Sequence, residues 1–256
     1  MKYMHALWLV CALSLGSQVQ AETIMVAAAA DLKFAMDEIA ASFKKAHPAD
    51  EVQVIYGSSG KLHTQIQQGA PYDLYFSADI TFPRELVKTG FAASDVKPYA
   101  FGRIVLWSAS LDASKMTLAS LADPKITHIA IANPKHAPYG KRAAEALQAA
   151  GVWVAVEPKL VFGENVAQAA QFVQTGNAKV GIVALSLALN PALAEHGHYW
   201  LIPDRMHAPL EQGYIITKRA ANNALAKRFA DYMGSKPARA VMTKYGFILP
   251  GEVSSK

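Results

Sequence analysis

From Thr23 to Pro203 the chain alternates between short runs suited to strands and longer segments with apolar residues at helical spacing. The strand-like runs are TIMVAAA (23–29), EVQVIYG (51–57), DLYFSAD (73–79), RIVLWSA (103–109), HIAIAN (128–133), KLVFG (159–163), KVGIVALS (179–186) and YWLIP (199–203). Between them Leu32, Met36, Ile39 and Phe43 recur at helical spacing, as do Ala143, Leu147 and Ala150, and then Val166, Ala169, Ala170 and Val173. This order predicts an α/β fold in which parallel sheets are covered by helices on both faces. The segment NNALAKRFADYMGSKPARAVMTKYGF (222–247) reads as two more helices joined at Gly234.

Two crossings divide the chain, one near Gly102 to Ser108 and a return between Pro203 and Pro209. They predict a first lobe from residues 22–102 plus 204–256 and a second from 103–203. A ligand then sits in the cleft between the lobes, at the carboxyl ends of strands.

The first 21 residues, MKYMHALWLVCALSLGSQVQA, combine Lys2, an apolar stretch from Ala6 to Leu15 and a small-residue site ending at Ala21. This is the pattern of a cleaved secretory signal peptide, so an exported protein is expected. Cys11, the single cysteine of the 256 residues, lies within that stretch and follows Val10 rather than a small residue, which argues against a lipid anchor. A mature chain without cysteine has neither a disulfide framework nor a thiol nucleophile. Loss of Lys2 with the leader leaves 24 basic against the 20 acidic residues, a mild excess that suits an anionic ligand. No basic run interleaved with aromatic residues suggests nucleic acid.

The stretch IYGSSGKLHT (55–64) places Ser58 and Ser59 between two glycines where an apolar run gives way to a helical one. A helix start of this kind offers hydroxyls and unpaired backbone N–H groups to an anion, and the same residues also form a serine-capped turn. Three further passages repeat the arrangement: AAAADLKFAM with Ala30 and Asp31, NPKHAPYGKRAAEAL with Tyr139, and FGENVAQAAQFV with Val166. Four helix starts, two from each lobe, can converge on one small oxyanion. Enzyme motifs fit less well. Lys61 stands where a G-x-S-x-G nucleophile elbow needs its second glycine, and two residues separate Gly57 from Gly60 where a phosphate loop needs four. A secreted serine hydrolase using Ser59 is the alternative from another class. His196, His198 and His207 lie near one another in sequence, but neither H-E-x-x-H nor a cysteine pair supports a metal site.

Taken together, AAAADLKFAMDEIAASFKK, GSSGKLHTQIQQGAPYDLYFSAD, NPKHAPYGKRAAEAL, PKLVFGENVAQA and GIVALS resemble the periplasmic molybdate-binding proteins of bacterial ABC transporters, the ModA family. The resemblance implies a two-lobed periplasmic binding protein of type II, monomeric and not an enzyme. Its ligand would be molybdate or tungstate, held without cofactor or counter-cation. Its partners would be an inner-membrane permease and ATPase, with sulfate or phosphate as the alternative ligands.

Carried onto this sequence, the family's binding positions fall at Ala30 and Asp31, at Ser59 with Ser58 beside it, at Tyr139, and at the amide of Val166. Two departures stand out. Ala30 and Asp31 replace a side-chain donor in the first loop, so Asp31 is expected to offer its N–H and to turn its carboxylate back as a helix cap. One branch of the family supplies a tyrosine from the position of Ala184, and here Tyr139 would supply that hydroxyl from another loop. Gly140 is expected to leave room for backbone to approach the ligand.

Overall fold

The computed structural model describes residues 22–252, so the signal peptide read at 1–21 lies outside the described residues. Ten strands are formed among these residues: β1 (Thr23–Ala29), β2 (Glu51–Gly57), β3 (Leu74–Ser77), β4 (Lys97–Gly102), β5 (Ile104–Ser108), β6 (Ile129–Ala132), β7 (Leu160–Gly163), β8 (Val180–Ala184), β9 (His198–Leu201) and β10 (Leu210–Ile216). The α-helices are α1 (Lys33–Ala46), α2 (Ser59–Gln67), α3 (Thr81–Lys88), α4 (Pro138–Ala149), α5 (Trp153–Val156), α6 (Val166–Gln174), α7 (Leu185–Ala188), α8 (Pro191–Ala194), α9 (Ala224–Tyr232) and α10 (Lys236–Lys244). They build two five-stranded sheets, ordered β2-β1-β3-β10-β4 and β7-β6-β8-β5-β9, each the centre of one lobe.

Neither sheet is purely parallel, which corrects the expectation from the βαβα order. The strands β1, β2 and β3 run parallel, as do β6, β7 and β8, because a helix returns the chain between successive members. The strands that enter from the other lobe have no such crossover. One residue, Arg103, separates β4 from β5, and β10 follows the return from β9. Accordingly β5 pairs antiparallel with β8 and β9, and β10 pairs antiparallel with β3 and β4. The sequence pattern missed β4 and β10. KPYAFG carries a proline and a glycine, and LEQGYII is broken by Glu211, Gln212 and Gly213, where the β10 register shifts.

Burial follows the pleat. In β1, Ile24, Val26 and Ala28 face a cluster with Met36, Ile39 and Phe43 of α1 and Phe229 of α9, whereas Ala27 faces Leu62, Ile66 and Leu86 of α2 and α3. Period-2 alternation with apolar residues on both faces places the sheet between two helical layers, so its edges and strand ends are what meet the cleft.

Phe43 is fully buried and meets Phe229 edge to face, with ring centroids 5.1 Å apart. Phe43→Ala should cost about 3–5 kcal/mol through lost burial and the cavity left behind. Urea denaturation reads this loss, and the ligand affinity of the molecules that remain folded should not change.

Candidate functional site

Each expected helix start lies at the carboxyl end of a parallel strand. β1 runs through a 3-10 turn, Ala30–Leu32, into α1, and β2 ends at Gly57 with Ser58 leading into α2. Across the cleft, β6 leads through 133–137 to α4, and β7 leads through Glu164 and Asn165 to α6. Ala30, Asp31, Ser58, Ser59, Tyr139 and Val166 all line one cavity, together with Ala29, Gly57, Ala78, Ala137, Pro138 and Asn165. Its empty space is about 190 Å3, part of it open to solvent. The space suits a small ion.

The donors differ in how they are held. Neither serine caps α2 through its side chain. The Ser59 hydroxyl oxygen accepts the Ala78 N–H at 3.0 Å, and because an amide donor already occupies that oxygen, its own proton is free to point elsewhere. The Ser58 hydroxyl lies 2.8 Å from Nδ1 of His136 in the other lobe. Pro138 occupies the first turn of α4, where its missing N–H costs no hydrogen bond. At Gly140 a side chain would collide with the Ala132 carbonyl, so this glycine serves the packing of α4 on β6 rather than an approach to ligand. At α6 the Asn165 side chain accepts from the Gln168 N–H at 3.0 Å, leaving the first-turn amide of Val166 without an intrahelical acceptor.

Asp31 departs from the sequence reading. Its carboxylate does not cap α1; Oδ2 accepts from the Tyr139 hydroxyl at 3.0 Å and from Gln212 Nε2 at 2.8 Å. The same Gln212 nitrogen lies 3.2 Å from the Tyr139 oxygen, so the three side chains form a closed triangle across the cleft. The reason is geometric: the chain enters α1 through a 3-10 turn, and this turn directs the side chain at residue 31 into the core between the lobes. Gly102, at the end of β4, gives the triangle its room, since a Cβ there would strike both the Tyr139 hydroxyl and Gln212 Nε2. Asp31 is 1% exposed and Gln212 0%. Burial pushes the Asp31 carboxyl up to about 7, against the lowering effect of its bonds from Gln212 and Tyr139 and of the nearby backbone amides of residues 31 and 32. Burial, and then the neighbouring Asp31 charge, hold the Tyr139 phenol well above its ordinary value.

Sequence reasoning missed Gln212, Gly102, His136 and Ser186. The signal for Gln212 was a lone amide inside an apolar run, LEQGYII, that the pattern did not recognise as a strand. Ser186, at the start of α7, donates to the Asp31 carbonyl at 2.7 Å and ties the first loop to the second lobe. Gly60 N–H donates to the His136 carbonyl at 2.9 Å, and Lys61 pairs with Glu164 at the exposed rim. The Ser58–His136 pair does not complete a catalytic triad. No carboxylate bonds the histidine ring among the described residues, and burial together with the Lys61 charge lowers its pKa. No group of three or more metal-ligating side chains gathers among the described residues.

The chain matches the family model described as bacterial extracellular solute-binding protein over residues 24–248. It is 38% identical over 227 residues to the molybdate-binding protein ModA of Rhodobacter capsulatus, covering 88% of each chain. It is 37% identical over 234 residues to the ModA of Azotobacter vinelandii, covering 91% of this chain and 92% of the relative. Among solved structures, the periplasmic molybdate-binding protein of Azotobacter vinelandii superposes with a TM-score of 0.83 at 33% identity, over 89% of this chain and 99% of that one. The sulfate-binding protein SubI of Mycobacterium tuberculosis has a TM-score of 0.75 at 16% identity, covering 90% of this chain and 88% of that one, a likeness of fold alone.

The raised pKa of Asp31 makes stability depend on pH. Between the ordinary carboxylate value and about 7 the native state keeps a proton that the unfolded chain has released, so stability falls as pH rises through this window and levels off above it. The carboxamide introduced by Asp31→Asn would not titrate. The stability of this variant relative to the parent should therefore rise by a few kcal/mol from about pH 4 to about pH 7, measured by urea denaturation at each pH.

Proposed function

Because the chain belongs to the bacterial extracellular solute-binding proteins, and within them to the molybdate-binding ModA family, we propose that it captures molybdate and tungstate in the periplasm. It then hands the oxyanion to an inner-membrane permease and ATPase. It acts as a monomeric carrier and not as an enzyme, and it holds the ion without a cofactor or counter-cation. The lobes are residues 22–102 plus 204–256 and residues 103–203, and the ion sits between them. The donors are the backbone amides of Ala30, Asp31 and Val166, the hydroxyls of Ser58, Ser59 and Tyr139, and the first-turn amides beside them.

One observation carries this reading: four helix starts from two lobes line a single cavity of ionic size. Hydrogen bonds to a charged acceptor are about twice as strong as neutral ones, and amides fixed at helix ends need little rearrangement to make them. Neutral donors therefore suffice for a dianion. Discrimination follows from bond length. Sulfate has the same charge and tetrahedral shape but is smaller, so a rigid shell set for the larger ion cannot meet all four of its oxygens. The sulfate and phosphate readings have no separate observation in their favour.

Calorimetric titration tests the assignment. After exhaustive chelation of divalent metals, molybdate and tungstate should bind with undiminished affinity, and sulfate and phosphate far more weakly. A requirement for a divalent metal, or equal affinity for sulfate, overturns it.

Ser59→Ala should lose one charge-assisted hydrogen bond, about 1.5–3 kcal/mol or roughly 10- to 150-fold in affinity, with the circular dichroism spectrum unchanged. An unaltered dissociation constant would show that the Ser59 hydroxyl serves only its bond with Ala78.

A further inference from the structure

We propose that Asp31 carries a proton when the site is filled, and that this proton turns the Tyr139 hydroxyl into a donor toward the bound oxyanion. The inference rests on the reading that the cavity takes a dianion, and it adds a positioning residue to that site.

A phenol has one proton to give. In the triangle, the Tyr139 oxygen is 3.0 Å from Asp31 Oδ2 and 3.2 Å from Gln212 Nε2. Tyr139 lines the cavity beside Asp31, and with Asp31 ionised its phenol proton is committed to the carboxylate and cannot be given to a ligand there. An oxyanion would then face a lone pair backed by a negative charge. One proton taken from solvent by the Asp31 carboxylate reverses the bond. The new acid O–H donates to the Tyr139 oxygen, Gln212 Nε2 continues to donate into the triangle, and the phenol proton is released toward the ligand. No other bond forms or breaks.

Two observations favour the protonated form. Asp31 Oδ1 is buried and has no hydrogen-bond partner among the described residues, which is costly for a charged carboxylate and much less so for the carbonyl oxygen of a neutral acid. Moreover, among the described residues no cation pairs with Asp31, and Arg103, next to Gly102, is turned to the Gly246 carbonyl. On α1, Lys33 pairs with Asp37, and on α4, Arg142 pairs with Glu145 and Asp79. On β10, Glu211 is turned to Arg84, and on β4, Lys97 is turned to Asp231. Helices α6 and α7 and strand β1 carry no ionisable side chain. The titratable groups that remain nearby are the phenols of Tyr99 and Tyr139, both held protonated by burial. The free protein already keeps the Asp31 carboxyl near neutrality, and a dianion beside it moves the carboxyl further up.

Binding and protonation are then linked, with a definite sign. Affinity is constant below the pKa of the free protein and falls as pH rises above it, by up to tenfold per pH unit, until the pKa of the complex is reached. The experiment is calorimetric titration of the purified protein with sodium molybdate between about pH 6.5 and pH 9, in paired buffers of different ionisation enthalpy. The expected result is uptake of close to one proton per ion above about pH 8, with the loss of affinity that linkage requires. Asp31→Asn, whose amide still donates to the Tyr139 oxygen, should show neither uptake nor slope. An infrared difference spectrum of the parent at the same pH should gain a protonated-carboxyl C=O band on adding molybdate, which decides the matter if the variant does not fold. Binding without proton uptake, a slope retained in Asp31→Asn, or no new carboxyl band overturns the role of Asp31 alone. Absence of binding by molybdate and tungstate at every pH overturns the ligand assignment as well.

Discussion

Backbone N–H groups at the first turn of a helix have no intrahelical partner, and when several such turns are buried against one another the structure needs an acceptor between them. In this protein the turns at Ala30, Ser59, Pro138 and Val166 come from two sheets and enclose one small cavity. The rest of the architecture serves that convergence. Parallel strands place helix starts at their carboxyl ends, helices on both faces keep the sheets rigid, and the two crossings between lobes set the ends of the two sheets opposite each other. The hydroxyls of Ser58 and Ser59 lie beside these turns, and the Ala78 amide orients that of Ser59.

The Asp31–Tyr139–Gln212 triangle lies where the two lobes meet and draws one member from each of three elements that are far apart in sequence. Most polar contacts across the cleft are neutral or lie at the rim, such as the Lys61–Glu164 pair, whose members are both about half exposed and which contributes little in water. The triangle is fully buried, so its polar groups interact in a medium of low polarity and any imbalance in their protons is expensive. That is why Gly102 matters. A methyl group at that position would displace both the phenol and the amide, and the carboxylate would lose its two donors.

Much of the fold was legible in the sequence because its signals are local. Strands β1 and β2 were delimited to the residue by runs of apolar and β-branched side chains, and the helical spacing of Leu32, Met36, Ile39 and Phe43 marks the buried face of α1. The passages from strand to helix were readable for the same reason, since a change of hydrophobic period and a glycine, serine or proline at the junction occur within a few residues. Strands β4 and β10 were not readable. Their stability comes from pairing with β3 and with each other across more than a hundred residues of chain, and their apolar pattern is interrupted by Pro98 and Gly102 in β4 and by Glu211, Gln212 and Gly213 in β10.

The sequence by itself determined the alternation of strands and helices, the four helix starts, and hence an α/β protein suited to a small anion, because each of these depends on residues that are neighbours in the chain. Only the tertiary structure decided the antiparallel strands, the partner of each hydroxyl and the direction of the Asp31 side chain. Asp31 in ADL reads as a helix cap, yet its carboxylate reaches Tyr139, 108 residues away, and Gln212, 181 residues away. A side chain in a buried cleft takes the donors that the packing of distant elements brings within 3 Å, and no local pattern encodes which ones those are.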